Sequence, residues 1–267
     1  MQTKKSYLKN IKLKNFYDDV FNKGEKKHFT KFITNDDQSD EFSQVLNVTN
    51  WKKKKVVDVG CGTGLFAFLV AKKGARIIGI DYSKNAIDLA KKSYSHPNLV
   101  YRRANLRNGL QGSFDIIVSN GTLEHVDDPL KILRYFRNHL TKNGKIIITS
   151  PNWTNPRGYV LITLLYLFNA PITKADLHYL TPYDFELWAK KLEMDLDWKT
   201  FDHSWGHGRI MIKDLRRRIP KILNDIGISL TKAQINNFLH WLEKNVLSFD
   251  NSLPHSGAIG LYVLKKK

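Results

Sequence analysis

The segment Asp58-Val59-Gly60-Cys61-Gly62-Thr63-Gly64 places an acid just before three glycines at alternate positions. Glycines let a backbone approach a ligand where any Cβ would collide, and their neighbours say where the loop sits. A β-branched run precedes it, and an apolar stripe at helical spacing (Leu65, Phe66, Leu69, Val70) follows, so the loop joins a strand to a helix. The spacing is not the G-x-G-x-x-G of dinucleotide sites, because Leu65 stands where the last glycine would be. Asp58 would also repel a pyrophosphate and attract an ammonium or sulfonium. A second acid, Asp81, closes the next strand-like run at Gly79-Ile80-Asp81. There, at the carboxyl edge of a doubly wound sheet, a carboxylate can accept both hydroxyls of a ribose. Together the two acids specify a nucleoside that carries positive charge.

The elements that must hold these groups follow from periodicity. Buried strands are expected over 56–59, 76–80, 99–103, 114–119 and 145–149. Helices fall between them: one over 65–73, one capped by Ser83 and carrying Ala86, Ile87, Leu89 and Ala90, and one opened by Asp128-Pro129 and running to 140. In the last, Leu130, Leu133, Phe136 and Leu140 share one face, which marks them as core. Strand and helix alternate with short links, which implies a parallel sheet covered on both faces. Beyond Pro151 the alternation breaks into an apolar run at 159–168, a helix start at Thr181-Pro182 and two final strands at 196–201 and 258–264. Some fifty mostly helical residues, including Lys213-Asp214-Leu215-Arg216-Arg217-Arg218, separate those strands and read as a lid. The expected fold is α/β, a doubly wound, mostly parallel seven-stranded sheet with helical lid insertions. Residues 1–50 read as an N-terminal helical cap, 51–152 as the ligand-binding core and 153–267 as a substrate and lid region.

Composition narrows the setting. The chain has 267 residues, of which 42% are hydrophobic, and no stretch reaches the roughly 20 apolar residues of a membrane-spanning helix. The opening Met1-Gln2-Thr3-Lys4-Lys5 does not lead into a signal-peptide core, and a single cysteine excludes an internal disulfide, so a cytoplasmic protein is expected. Cys61 itself reads as a small packed residue rather than a nucleophile. A net charge of +18 favours an anionic partner such as phosphate, nucleic acid or lipid headgroups without choosing among them. The oligomeric state stays open.

Five stretches together resemble the class I S-adenosylmethionine-dependent methyltransferases: Val57 to Gly64, Gly79-Ile80-Asp81, Phe114-Asp115-Ile116-Ile117, Leu123-Glu124-His125-Val126 and the turn before Lys145. The likeness covers about residues 50–152. It implies S-adenosylmethionine as cofactor and S-adenosylhomocysteine as product. By the same likeness Asp58, Gly60, Cys61, Gly62 and Gly64 face the methionine end, Asp81 holds the ribose and Tyr82 packs beside the adenosine. Ala104 and Asn105 follow the third strand, where the family often has an acid near the adenine. Ser119 and Asn120 end the fourth strand beside the methionine portion.

Methyl transfer from a sulfonium is an in-line displacement, so holding the acceptor in an attack geometry supplies much of the rate, and a hydroxyl acceptor must also lose its proton. His125 with Glu124, and His178 in the His178-Tyr179-Leu180-Thr181-Pro182 segment, are the candidates for proton transfer. His125 holds the better position, and the competing reading makes it an orienting or capping histidine. The segments from Glu124 to Pro129 and from His178 to Pro182 look like the quinone-pathway O-methyltransferase branch. Some members of that branch are thought to bind a divalent metal through two acids and a histidine; Gly121 stands where the first acid would be, which speaks against a metal. The branch also uses an insertion after the fifth strand to meet membrane lipid. Residues 159–168 match it in place and character, and the choice is between peripheral contact with an anionic membrane face and a buried lid helix. The expected acceptor is a small lipid-like, quinone-like or glycan molecule. An RNA acceptor is the alternative, against which Ser119-Asn120-Gly121-Thr122 lacks a base-methylating Asn-Pro-Pro-Tyr pattern. A third reading is a protein that binds the cofactor without catalysis.

Overall fold

The computed structural model describes residues 40–106, 109–173, 175–247 and 253–266. Most of the expected N-terminal cap lies outside the described residues; within them it begins with helix α1 (Glu41–Leu46). Among the described residues seven strands, β1 (Lys55–Val59), β2 (Arg76–Asp81), β3 (Leu99–Arg103), β4 (Phe114–Asn120), β5 (Leu140–Pro151), β6 (Met194–Phe201) and β7 (Ile259–Lys266), form one sheet in the order β3-β2-β1-β4-β5-β7-β6. The first five pair in parallel, and β7 runs antiparallel to both β5 and β6. The strand order reverses at β1 and β4, and that is where doubly wound sheets open a crevice at the carboxyl ends of their strands.

Consecutive apolar residues become strands here because both sheet faces are covered. Val57, Val59, Ile117, Ile146 and Ile148 enter one core with Phe136, Phe185 and Tyr262. Their neighbours Val56, Ile116, Val118 and Ile147 enter the other with Phe66, Val70, Ile77 and Ile87. The period of two thus divides one apolar run between two cores. Helices α2 (Leu65–Lys72), α3 (Lys84–Ser93) and α4 (Pro129–Asn138) make the parallel crossovers. Ser83 caps α3 by accepting the Ala86 N–H at 3.2 Å, and Asp128 caps α4 by accepting the Lys131 N–H at 2.9 Å.

Helix α4 stops at Asn138, two residues short of the sequence expectation. Leu140 is drawn instead into register with Phe114, after which the register shifts so that Ile116 faces Lys145. Strand β5 is therefore longer at both ends than 145–149, since its far end also pairs with β7 as far as Pro151. On α4 it is Ile132, Leu133 and Phe136 that are buried, while Leu130 packs only partly.

After β5 come α5 (Pro156–Phe168), α6 (Pro182–Lys191), α7 (His203–His207), α8 (Arg209–Asn224) and α9 (Lys232–Asn245). Helices α5, α8 and α9 surround a third core of Leu161, Met211, Leu215, Ile219, Leu239 and neighbours, separate from the two on the sheet. A buried ion triad clasps α5 to α8. The Asp214 carboxylate accepts Arg157 Nε at 2.7 Å and Arg218 Nε at 3.0 Å, while Arg218 also donates to Ile172 O. Burial works against the charge on Asp214, but the two guanidiniums outweigh it and hold its carboxyl below the usual range.

Helix α5 is covered on one side, where Val160, Leu161, Ile162, Leu164 and Leu165 pack into the third core, and open on the other. Leu161 is fully covered, but Tyr159, Tyr166, Leu167 and Phe168 are exposed, Tyr166 and Leu167 by about three quarters (76% and 73%). Among the described residues no helix is long and apolar enough to cross a membrane.

Candidate active site

Where β1 ends, the chain turns through Gly60, Gly62 and Gly64, all with positive φ (78°, 50° and 87°). Two of these positions are also closed to any Cβ. At Gly60 it would lie 2.4 Å from Thr122 Oγ1, and at Gly64 2.5 Å from the Tyr101 hydroxyl. That hydroxyl donates to Gly64 O at 2.9 Å, so Tyr101 of β3 fixes the glycine that opens α2. Gly60 N–H and Cys61 N–H both donate to Ile80 O, tying the loop to the end of β2.

Asp81 is the hinge of this arrangement. Its Oδ2 accepts the Gly62 N–H at 3.1 Å and its Oδ1 the Ser83 N–H at 2.8 Å, so one buried carboxylate fixes the loop and the start of α3 together. Asp58 is buried at 1% exposure, and among the described residues its Oδ2 has no hydrogen-bond partner. Burial and the nearby charge of Asp81 push its carboxyl up to about 8. A buried acid without a counter-charge, beside a cradle that excludes Cβ atoms, fits a ligand that brings its own cation.

The other residues expected around the cofactor divide by what they touch. Ala104 N–H donates to Asp81 O, and Asn105 after it is exposed. The Tyr82 carbonyl accepts Arg103 Nε at 3.1 Å. Cys61 lies against Gly79, and burial pushes its thiol well above its ordinary value, which disfavours the nucleophilic thiolate. Ser119 is fully buried and donates to Val59 O at 2.9 Å, a brace between β4 and β1 that commits its hydroxyl inside the sheet. Asn120 Oδ1 accepts Thr149 Oγ1 at 3.3 Å, while its Nδ2 is buried with no partner among the described residues.

Beyond Asn120 the chain passes Thr122, already against Gly60, into a short 3-10 turn at Leu123–His125. The Glu124 carbonyl accepts the N–H groups of Leu177 (2.8 Å) and His178 (3.2 Å), and His178 Nε2–H donates to Val126 O at 2.8 Å. These bonds zip the segment before α6 onto the loop. His178 acts in that zipper as a strut.

The zipper sets His125 against Asp176. Nδ1 lies 3.2 Å from Ala175 O and 3.4 Å from Asp176 Oδ1, two acceptors that place the proton on Nδ1 and leave the Nε2 lone pair as the basic position. Nε2 is 3.8 Å from Glu124 Oε1. Burial lowers the His125 pKa against the opposing pull of Asp176 and Ala175 O, so the ring stays neutral. Burial also pushes Glu124 up to about 8, helped by Asp176 and Glu41, so near neutrality it carries its proton. Its Oε2 accepts the Ser150 hydroxyl at 3.3 Å.

Three contributors were missed in the sequence. Asp176 lies two residues before a His-Tyr pair already noticed, and an acid that close to it was a usable signal. Glu41 of α1 accepts a hydrogen bond from Thr149 and is raised by burial, with Asp202 adding to the rise; nothing in its local sequence marks it. Tyr101, which fills the space under Gly64 and Gly79, reads locally as an ordinary strand residue. No three His, Cys, Asp or Glu side chains among the described residues converge as metal ligands.

A family model described as a methyltransferase domain matches residues 50–219. The ubiquinone biosynthesis O-methyltransferase of Actinobacillus pleuropneumoniae serotype 7 is 30% identical over 154 residues, covering 54% of this chain and 63% of that protein. The mitochondrial ubiquinone biosynthesis O-methyltransferase of Schizosaccharomyces pombe is 30% identical over 139 residues, covering 49% and 51%. The matched region thus spans from half to under two thirds of these relatives. Among solved structures, an S-adenosylmethionine-dependent methyltransferase from Archaeoglobus fulgidus superposes with a TM-score of 0.55 at 16% identity, over 85% of this chain and 91% of that one. One from Mesorhizobium loti gives 0.53 at 16% identity, over 84% and 95%. Sheet order and superposition define the class I, Rossmann-like methyltransferase fold. The chain belongs to the methyltransferase domain family.

Proposed function

We propose that the protein methylates a hydroxyl group on a small, largely apolar acceptor, with His125 as general base. The observation that carries this is the His125 environment: Nδ1 tied to Ala175 O and Asp176, a neutral ring, and a basic Nε2 on the loop that packs against the cofactor glycines. Asp58, the loop N–H groups and Asp81 are the residues that would hold S-adenosylmethionine, which supplies an electrophilic methyl group when bound. His125 Nε2 takes the proton of the acceptor hydroxyl as that oxygen becomes the nucleophile. Asp176 keeps the tautomer and steadies the charge that forms on the ring. Protonated Glu124 beside it adds no second negative charge.

The names of the relatives, ubiquinone biosynthesis O-methyltransferases, support an O-directed, quinol-like acceptor. The exposed Tyr159, Tyr166, Leu167 and Phe168 on α5 support delivery from a lipid surface, which the net charge of +18 reinforces where that surface is anionic. The test is transfer of labelled methyl from S-adenosylmethionine to cell fractions. We expect label in the lipid fraction, dependent on His125. Label confined to RNA, or none in any fraction despite tight cofactor binding, overturns the proposal.

A further inference from the structure

The crevice described so far opens at the carboxyl ends of the strands. At the opposite edge, where β1, β4 and β5 begin, a second cavity of about 580 Å³ is lined by Lys54, Lys142 and Lys145 together with Thr49, Asn143 and Asp115. Three lysines and one acid thus line it. That carboxylate is already engaged, accepting the Lys55 N–H at 2.9 Å and the Thr141 hydroxyl at 3.2 Å. Lys145 is half-buried, and its Nζ donates to Thr49 Oγ1 at 3.1 Å, which uses one of its three N–H donors. Burial lowers its pKa, and repulsion from Lys265 and Lys54 lowers it further against the weaker pull of Asp197. Lys265 faces Lys145 across the β5–β7 register and is itself paired with Asp197, so that acid is largely spent.

Among the described residues the lysines of this site outnumber the acids, and the natural complement of such a site is a compact group bearing several negative oxygens. A single carboxylate has too little charge to meet three ammonium groups. Ligand sites commonly enclose about 300–1,000 Å³, so the cavity has room for linked phosphates and part of what they are attached to. We propose that this amino-edge cavity binds an oligophosphate group, at a site separate from the cofactor crevice.

Titration calorimetry of the full chain with sodium tripolyphosphate at low ionic strength tests this, with citrate as a polycarboxylate comparison. One saturable site is expected, tighter for tripolyphosphate than for citrate. The double variant Lys54→Ser with Lys142→Ser removes two exposed lysines outside the catalytic and cofactor machinery, so it should fold and bind S-adenosylmethionine unchanged. It should weaken tripolyphosphate binding on the order of tenfold or more. Lys91→Ser with Lys92→Ser removes the same charge from exposed positions on α3 and should leave tripolyphosphate binding within about twofold. Equal weakening by both double variants would show that only the overall charge is at work, and would overturn the proposal. So would citrate binding as tightly as tripolyphosphate, or no saturable uptake.

Discussion

The cofactor loop and the proposed base are neighbours in space but are held by different means. Around the loop, main-chain groups make the decisive bonds: Gly60 and Cys61 N–H to Ile80 O, and Gly62 and Ser83 N–H to the Asp81 carboxylate. Around His125 the partners come from a segment some fifty residues away, through Ala175 O and Asp176, and that segment is steadied by Arg218 from α8 through Ile172 O. The first arrangement follows once a strand, three glycines and a helix are in sequence. The second exists only if the helical region is seated. Binding of the donor and activation of the acceptor should therefore be separable by mutation.

The largest effect is expected at the base. His125→Ala should lower kcat by about 10²–10⁴-fold while leaving the S-adenosylmethionine Kd unchanged. A matching loss of cofactor affinity in calorimetry would merge the two regions and end the comparison. Next is the clasp of the helical region. Asp214→Ala leaves Arg157 and Arg218 half-buried without their carboxylate and should cost about 3–5 kcal/mol of stability. Urea denaturation measures this, and a cost below about 1 kcal/mol would mean that the triad does not hold α5 to α8. Asp81→Ala should weaken cofactor binding by about 1.5–3 kcal/mol, and an unchanged Kd would remove Asp81 from the ribose site.

The smallest effect is on the pH dependence of the cofactor-free protein. Asp58 and Glu124 are both raised from ordinary carboxylate values to about 8, so the folded chain binds protons that the unfolded chain has released. Their contribution is fully present below the unfolded values, near 4, and is lost as pH rises through about 8. The Tm should fall by a few degrees between about pH 6 and 9, and Asp58→Asn should make the fall shallower. A flat profile in the parent protein would show that neither acid is held neutral.

Sequence carried the sheet region well because each of its decisions is local. The apolar runs gave the seven strands of the described sheet, and Ser83 and Asp128 announced their caps. The error at Leu140 shows the limit. Its helical spacing from Phe136 was real, but pairing with Phe114 won the residue for β5, and no local pattern encodes that competition. The same holds for Asp176 and Glu41, whose importance lies in which distant residue they meet. The 159–168 run was ambiguous because a helix apolar nearly all round gives no sign of which side is covered. The structure covers Leu161 and leaves Tyr166 and Leu167 outside.

The Glu124 carbonyl, which accepts the N–H groups of both Leu177 and His178, has a consequence for timing. Opening that junction would withdraw Asp176 from His125 while leaving the bonds of the glycine loop in place, so the proposed base would lose its partner without loss of the donor site. Relaxation-dispersion NMR on the Leu177 and His178 amides would report how often it does so. Frequent opening with the glycine loop unchanged would mean that the two bonds which shape the site also govern when a bound donor meets its proton acceptor.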